Sequence, residues 1–244
     1  MSNNLRQREI LNILDKNGSV SIKELMRELY VSEATVRRDL CELERAGALK
    51  RTHGGASSIL VTNSQVPLFI RESLDSKAKS EICRKAAELV KEGDKVFVDG
   101  SSTAQYLVKY LSSLKDVVVV TYSIKTAEMM CKSHIKTYCA GGLLLENSLV
   151  CTGDGTLDFA QKFNTDIAFL SCKGVSLDGR FTDTSEEETA VRRAFMKNAG
   201  VKVMLMTANK LDTIYLHTLC RLDEVDYLFS DGEIPAQLKE KLAK

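Results

Sequence analysis

No apolar run in this 244-residue chain approaches the roughly 20 residues a bilayer-spanning helix needs, which argues against a membrane span. The start, Met1-Ser2-Asn3-Asn4, lacks the shape of a secretory leader. Cysteine is present but unpaired in pattern: Cys41, Cys83, Cys131, Cys139, Cys151, Cys172 and Cys220 are odd in number, scattered, and without a C-x-x-C step. That argues against a disulfide framework or a zinc site, and for a reducing cytoplasm. Histidine is scarce, and His53, His134 and His217 are too dispersed to suggest a metal cluster. No internal repeat or low-complexity run is evident. Bulk charge is also missing where a nucleic-acid binder would be expected to carry it. The first 56 residues hold ten lysines and arginines against eight carboxylates, a weak electrostatic footprint. No metal, cofactor or catalytic group is implied by any of this.

What is present is concentrated in residues 21–56. Leu5, Ile10, Ile13 and Leu14 fall at helical spacing, and Asn17-Gly18 breaks that helix. Ser21-Ile22-Lys23-Glu24 has the capping-box pattern and opens a second helix burying Ile22, Leu25 and Leu29. Tyr30-Val31 forms a turn, and Ser32 caps a third helix in which Val36, Leu40 and Leu43 share one stripe. Ser32, Glu33, Thr35, Arg37 and Arg38 lie off that stripe. A recognition helix needs this split, with one side held by its scaffold and a polar N-terminal end turned toward base edges. Ala46-Gly47 ends the helix. Residues 48–51 then read as a strand entering a Gly-Gly turn, a wing carrying Lys50, Arg51 and His53. The competing reading is bland: capped amphipathic helix pairs are common, and adjacent arginines are usually a solvated face. DNA binding would rest on local placement of Arg37, Arg38, Lys50 and Arg51.

Hydrophobic content of 44% is ample for a real core. Residues 1–56 are read as one domain, 57–76 as a linker interrupted by Pro67 and partly packed on the second domain, and 77–244 as a larger domain. In the latter, Ile82, Ala86, Leu89 and Val90 suggest a helix ended at Gly93. Short apolar strands at 96–98, 117–120, 135–140, 167–170, 201–206 and 227–230 are separated by helical stretches, including one over 106–114. Met129 and Met130 are core. Strands nearly without charge, alternating with helices, argue for a mainly parallel α/β sheet covered on both faces. Such sheets bind ligands at the carboxyl ends of their strands.

Those ends are polar or glycine-rich. Asp99-Gly100-Ser101-Ser102-Thr103 opens a helix and makes a credible phosphate cradle from small residues, hydroxyls and free N–H groups, although a plain strand-to-helix turn has the same composition. Thr121-Tyr122-Ser123, Gly141-Gly142, Ser171-Cys172-Lys173-Gly174 and Thr207-Ala208-Asn209-Lys210 follow the other strands. Lys173 and Lys210 offer positive charge to a phosphate, or are solvated lysines.

The run Val31-Ser32-Glu33-Ala34-Thr35-Val36-Arg37-Arg38-Asp39-Leu40, with Leu43-Glu44, Gly47 and Arg51-Thr52-His53-Gly54-Gly55-Ala56, resembles the N-terminal signature of the DeoR family of bacterial regulators. The resemblance extends to about Asp231. It implies a winged helix-turn-helix followed by a sugar-phosphate-sensing domain similar to ribose-5-phosphate isomerase. By that likeness Ser101, Ser102 and Thr103 hold phosphate, Asp99 accepts sugar hydroxyls and Lys210 helps anchor the ligand. Thr121 and Ser123 match the family's Thr-Asn-Ser element, Gly141-Gly142 its glycine turn, and Glu188 its Glu-Ala step. The sequence departs from the pattern at Leu143-Leu144-Leu145-Glu146, Thr207, Ser185 and Lys173. These departures suggest a shifted effector preference, with Lys173 replacing a lost positive charge.

Two functional classes follow. One is a repressor of a sugar-metabolism operon, or an activator, controlled by a phosphorylated sugar. It binds operator DNA as a homo-oligomer, because a two-fold operator needs at least two heads. The other is a phosphosugar isomerase with a DNA-binding head, in which Asp99 or Glu188 serves as base.

Overall fold

The computed structural model describes residues 3–45, 48–57 and 68–239. They fall into two compact units, Met1–Ser76 and Lys77–Lys244. In the first unit, α1 (Asn3–Asn17) stops where Gly18 turns to φ 71°, as the Asn-Gly step predicts. β1 (Ser19–Ser21) leads into α2 (Ile22–Leu29). The capping box forms in both directions: Glu24 N donates to Ser21 Oγ at 3.2 Å, and Ser21 N donates to Glu24 Oε2 at 2.8 Å. α3 (Glu33–Arg45) buries Val36, Leu40 and Leu43 as expected. The wing is β2 (Lys50–Thr52) paired with β3 (Gly55–Ser57). The expected helix stop at Ala46-Gly47 lies outside the described residues.

Three features of this unit differ from the sequence reading. β1 adds to the wing, pairing Val20 with Ala56, so the sheet has three strands in the order β1-β3-β2. Leu5 is more than half exposed and is not part of the core. The expected linker contains α4 (Leu68–Ser73), which packs on α1. Ile70 is fully buried there, and Arg8 holds Glu72 at 2.9 Å. Burying an apolar side chain against α1 fixes the end of this segment; its residues 58–67 lie outside the described ones.

The second unit begins with α5 (Ser76–Ala87) and β4 (Lys95–Val98). The helix expected over 106–114 is instead a 3-10 turn at Ala104–Leu107 followed by the single turn α6 (Val108–Leu111). Next come β5 (Val118–Thr121), α7 (Ile124–Lys132), β6 (Lys136–Cys139), the hairpin β7 (Leu143–Leu145) and β8 (Val150–Thr152), and α8 (Asp154–Gln161). They are followed by β9 (Thr165–Ser171), β10 (Gly174–Val175), β11 (Arg180–Asp183), α9 (Glu186–Lys197) and β12 (Ala199–Met206). β13 (His217–Arg221), β14 (Tyr227–Ser230) and α10 (Ala236–Lys239) end the described chain.

Six of these strands form one sheet in the order β14-β12-β9-β4-β5-β6. Every pairing in it is parallel. Alternate residues serve opposite faces: Phe97, Ala168, Leu170 and Met204 join one apolar cluster, whereas Val96, Val98, Ile167, Phe169 and Val203 join another. Burial on both faces is why the central strands β4, β5, β9 and β12 are mostly apolar, with Lys95, Asp166 and Lys202 their only charged residues. The sheet β10-β11-β13 and the hairpin β7-β8 are antiparallel additions that the apolar-run pattern did not reveal. Among the described residues no helix is long and apolar enough to cross a membrane.

Candidate nucleic-acid interface and effector site

The first unit presents α3 by its outer face. Ser32, Glu33, Ala34, Arg37 and Arg38 are exposed, while Val36, Asp39, Leu40 and Leu43 hold the opposite side. Ser32 caps the helix, accepting from Thr35 N at 3.4 Å, and its hydroxyl lies 3.0 Å from that of Thr35. The two arginines differ. Arg37 donates to Glu33 Oε1 at 2.8 Å one turn back, whereas Arg38 has no ion pair among the described residues. Lys50, Arg51 and His53 are all exposed on the wing. Glu44, on the exposed side of α3, accepts from Arg51 N at 2.9 Å and so ties the wing to the recognition helix. Sequence reading missed the group that fixes the helix from behind. Arg6 on α1 forms a bidentate pair with Asp39, whose carboxylate is fully buried beneath α3. The available signal was a carboxylate on the apolar stripe, three residues from Val36 and four from Leu43.

In the second unit the chain moves outward in one direction through β4, β5 and β6, and in the other through β9, β12 and β14. The junction of β4 and β9 is therefore the switch point of the sheet, where a crevice opens beyond the strand ends. Asp99 and Ser171 occupy it. Asp99 is buried, and its carboxylate accepts Ser101 N at 2.9 Å and Ser171 N at 2.8 Å. Burial raises its pKa, against the opposing pull of Arg192 and of the hydrogen bonds from Ser101 and Ser171. Lys210 donates to Ser171 Oγ at 3.0 Å from the end of β12. Ser171 Oγ in turn donates to Leu205 O at 2.7 Å.

Behind this strand end lies a charged cluster that the sequence did not expose. Arg192, on the buried stripe of α9, donates to Ser171 O at 2.8 Å and to Asp183 Oδ2 at 3.0 Å, and Glu188 lies 3.6 Å away. Burial alone would lower its pKa, but Asp183, Tyr122, Glu188 and Asp99 together raise it, so it is a permanent cation. Burial likewise opposes ionisation of Asp183, yet Arg192 and Lys173 hold its pKa below the usual carboxylate range. Lys173 donates to Thr184 Oγ1 at 2.7 Å beside that carboxylate. The signal for Arg192 was its spacing of four from Glu188, within a stripe of Val191, Phe195 and Met196.

The remaining expected residues divide by role. Ser101 is half-buried, and Ser102 and Thr103 are buried. Ser101 Oγ accepts from Ala104 N at 3.0 Å, so the loop partly caps itself and starts a 3-10 turn instead of a long helix. Gly100 is required by space: a Cβ there would stand 2.2 Å from Val150 Cγ1. Thr121 and Ser123 are fully buried anchors. Thr121 Oγ1 accepts Ser123 N at 3.1 Å, and Ser123 Oγ caps α7 through Thr126 N at 3.2 Å. Gly141 and Gly142 are exposed beyond β6, two strands from the switch point. Gly142 adopts φ 151°, where a Cβ would meet Thr156 Oγ1 at 2.3 Å. All seven cysteines are free thiols, and burial pushes Cys139 and Cys172 each up to about 11.

Comparison with known proteins follows this division. Residues 6–62 match the DeoR-like helix-turn-helix domain, and residues 74–232 match the DeoR C-terminal sensor domain. The HTH-type transcriptional regulator YulB of Bacillus subtilis is 31% identical, over 96% of this chain and 91% of its own. The glycerol-3-phosphate regulon repressor of Escherichia coli is 27% identical, over 99% of this chain and 96% of its own. Among solved structures, ribose 5-phosphate isomerase A of Methanocaldococcus jannaschii is 19% identical with a TM-score of 0.43, over 56% of this chain and 55% of that one. With an exposed recognition helix, a tied wing and a sensor domain matched over most of its length, the chain belongs to the DeoR family of helix-turn-helix transcriptional regulators.

Proposed function

We propose that this regulator is a repressor whose α3 and wing hold operator DNA until a phosphorylated sugar occupies the crevice at the β4–β9 junction. One observation carries the effector half of this reading. Lys210, Ser171 and Asp99 form a continuous hydrogen-bonded chain at the switch point, beside the hydroxyl-bearing loop 101–103. An ammonium, small hydroxyl side chains and a buried acceptor are the groups a phosphorylated polyol needs. In this reading Ser101, Ser102, Thr103 and Lys210 receive the phosphate. Lys173 and Glu188 border the sugar end, Thr121 and Ser123 hold the floor, and Gly141-Gly142 leave room at the rim. Ser32, Glu33, Thr35, Arg37 and Arg38 face the duplex with Lys50, Arg51 and His53. The protein acts in the cytoplasm as a homo-oligomer. Repression by the E. coli relative supports the sign of the response.

Regulation is favoured over isomerisation because both family models that match the chain describe regulator domains, a helix-turn-helix and a sensor. Asp99 takes two backbone N–H groups, and Glu188 lies against Arg192.

The test is a thermal-shift screen of the full chain against pentose and hexose phosphates. A binder at 100 times its Kd adds about 2.7 kcal/mol of apparent stability. The same compound is then added to the protein bound to a duplex selected by it from a random pool. Release from DNA without turnover supports the proposal. Turnover of any compound in the panel, or stabilisation without release, refutes it.

A further inference from the structure

We infer that Tyr30 is a DNA-backbone contact, placed at the mouth of the recognition helix by a backbone conformation that tyrosine rarely adopts. The inference rests on the reading of α3 as the recognition helix. Tyr30 closes α2 with φ 55° and ψ 45°, in the left-handed region. L-residues pay for that geometry because Cβ crowds the following carbonyl, and glycine or asparagine usually occupies it. Of the non-glycine residues with positive φ, Asp75, Asp116, His134 and Asp212 are types enriched there; Tyr30 and Leu149 are the bulky exceptions.

Tyr30 gains nothing inside the protein in return. Its side chain is among the most exposed of the large apolar ones, at 93%, and among the described residues it makes no hydrogen bond or ring contact. Its neighbours show where it stands. Tyr30 N and Val31 N both donate to Met26 O, which fixes the turn, and two residues later Ser32 caps α3. Tyr30 thus stands in the turn two residues before exposed Ser32, Glu33 and Ala34, and it is itself exposed. A helix entering the major groove by its N-terminal end brings the residues just before it against the flanking strand. A phenol there donates its O–H to a phosphate oxygen and lays its ring on the sugar edge. Tyrosine is among the side chains that make such positioning contacts. The strain is then a stability cost tolerated for a contact made only in the complex.

Tyr30→Asn separates strain from contact, since asparagine accepts the left-handed turn but cannot reach the backbone. Three measurements are made on the full chain with a duplex it selects from a random pool: Tm, Kd, and the slope of log Kd against log salt. The expected result for Tyr30→Asn is a raised Tm together with about a tenfold weaker Kd, near 1.4 kcal/mol. Its salt slope stays unchanged, because a neutral phenol displaces no counterion. Tyr30→Phe, which keeps the ring and loses the hydroxyl, falls between the two. Arg38→Ala is the control, expected to weaken binding and to reduce the salt slope by about one. A Kd for Tyr30→Asn within twofold of the parent overturns the inference while Arg38→Ala still weakens binding. If neither variant weakens binding, the recognition-helix reading itself has failed.

Discussion

Arg6 grips the carboxylate of Asp39 with two N–H groups, one of them at 2.9 Å, across the interior of the first unit. The pair links α1 to the underside of the recognition helix, and both side chains are buried. Removing one partner of a buried ion pair typically costs about 3–5 kcal/mol, because the other charge loses most of its compensation. Asp39→Ala is therefore expected to unfold the DNA-binding unit at lower urea, with loss of amide protection in α3. Arg6→Met combined with Asp39→Leu should recover most of that stability, because an apolar pair of similar volume replaces an ion pair at little cost. If Asp39→Ala loses less than about 1 kcal/mol, the pair is not what holds the helix.

The wing depends on a contact with no room for a side chain. A Cβ on Gly55 would lie 2.0 Å from Val20 O and 2.8 Å from Ser21 Cα, both backbone atoms of β1. Gly55→Ala should part β3 from β1 and weaken DNA binding, while the thermal transition of the sensor unit stays where it was. Unaltered binding would show that the wing does not touch the duplex.

Arg37 and Arg38 are adjacent but not equivalent. Glu33 holds Arg37 at 2.8 Å across an exposed turn, where such pairs contribute little to stability. Glu33→Ala should leave stability nearly unchanged and tighten DNA binding, since it removes a negative charge from the surface and releases the guanidinium. Binding that weakens instead would mean that Glu33 itself reads a base, as a carboxylate does on cytosine.

Asp183 sets a pH dependence with a definite sign. Its pKa in the fold lies below the usual carboxylate range because Arg192 and Lys173 outweigh its burial. The stabilisation is present above the unfolded value, about pH 4, and is lost as the pH falls through the folded value. Asp99, whose pKa is raised by burial, acts in the opposite sense, so the two contributions are separated by difference. Asp183→Asn should be less stable than the parent by about 3 kcal/mol at neutral pH. The gap should close as the pH falls from about 4, the unfolded value, through the lower folded value. A gap constant over that range would exclude the charge of Asp183 as its source.

The parts of this fold written in short-range signals were readable in the chain. Ser21 and Glu24 announced α2, Val36, Leu40 and Leu43 announced the inner face of α3, and short apolar runs alternating with helices announced the parallel sheet. What escaped depends on contacts between distant residues. β1 is three residues long and exists because Val20 meets Ala56. α4 is held by Ile70 against α1, which no local pattern states. The crevice was approached through its loops, yet its organising cation, Arg192, sits in the middle of an apolar helix face. Asp99 was expected to face a ligand, and the hydrogen bond it accepts from Ser171 N is visible only once β4 and β9 lie side by side.

The pairing of Val20 with Ala56 also bears on how this reader of DNA could be transplanted. The strand before α2 and the second strand of the wing are stitched together, so the intervening segment is a closed hoop with the recognition helix inside it. A graft cut from the helix-turn-helix alone would leave that hoop open and the wing without its inner neighbour. The smallest portable cassette thus begins at α1, so that Asp39 retains its partner, and runs past Ser57 to α4, whose Ile70 completes the core.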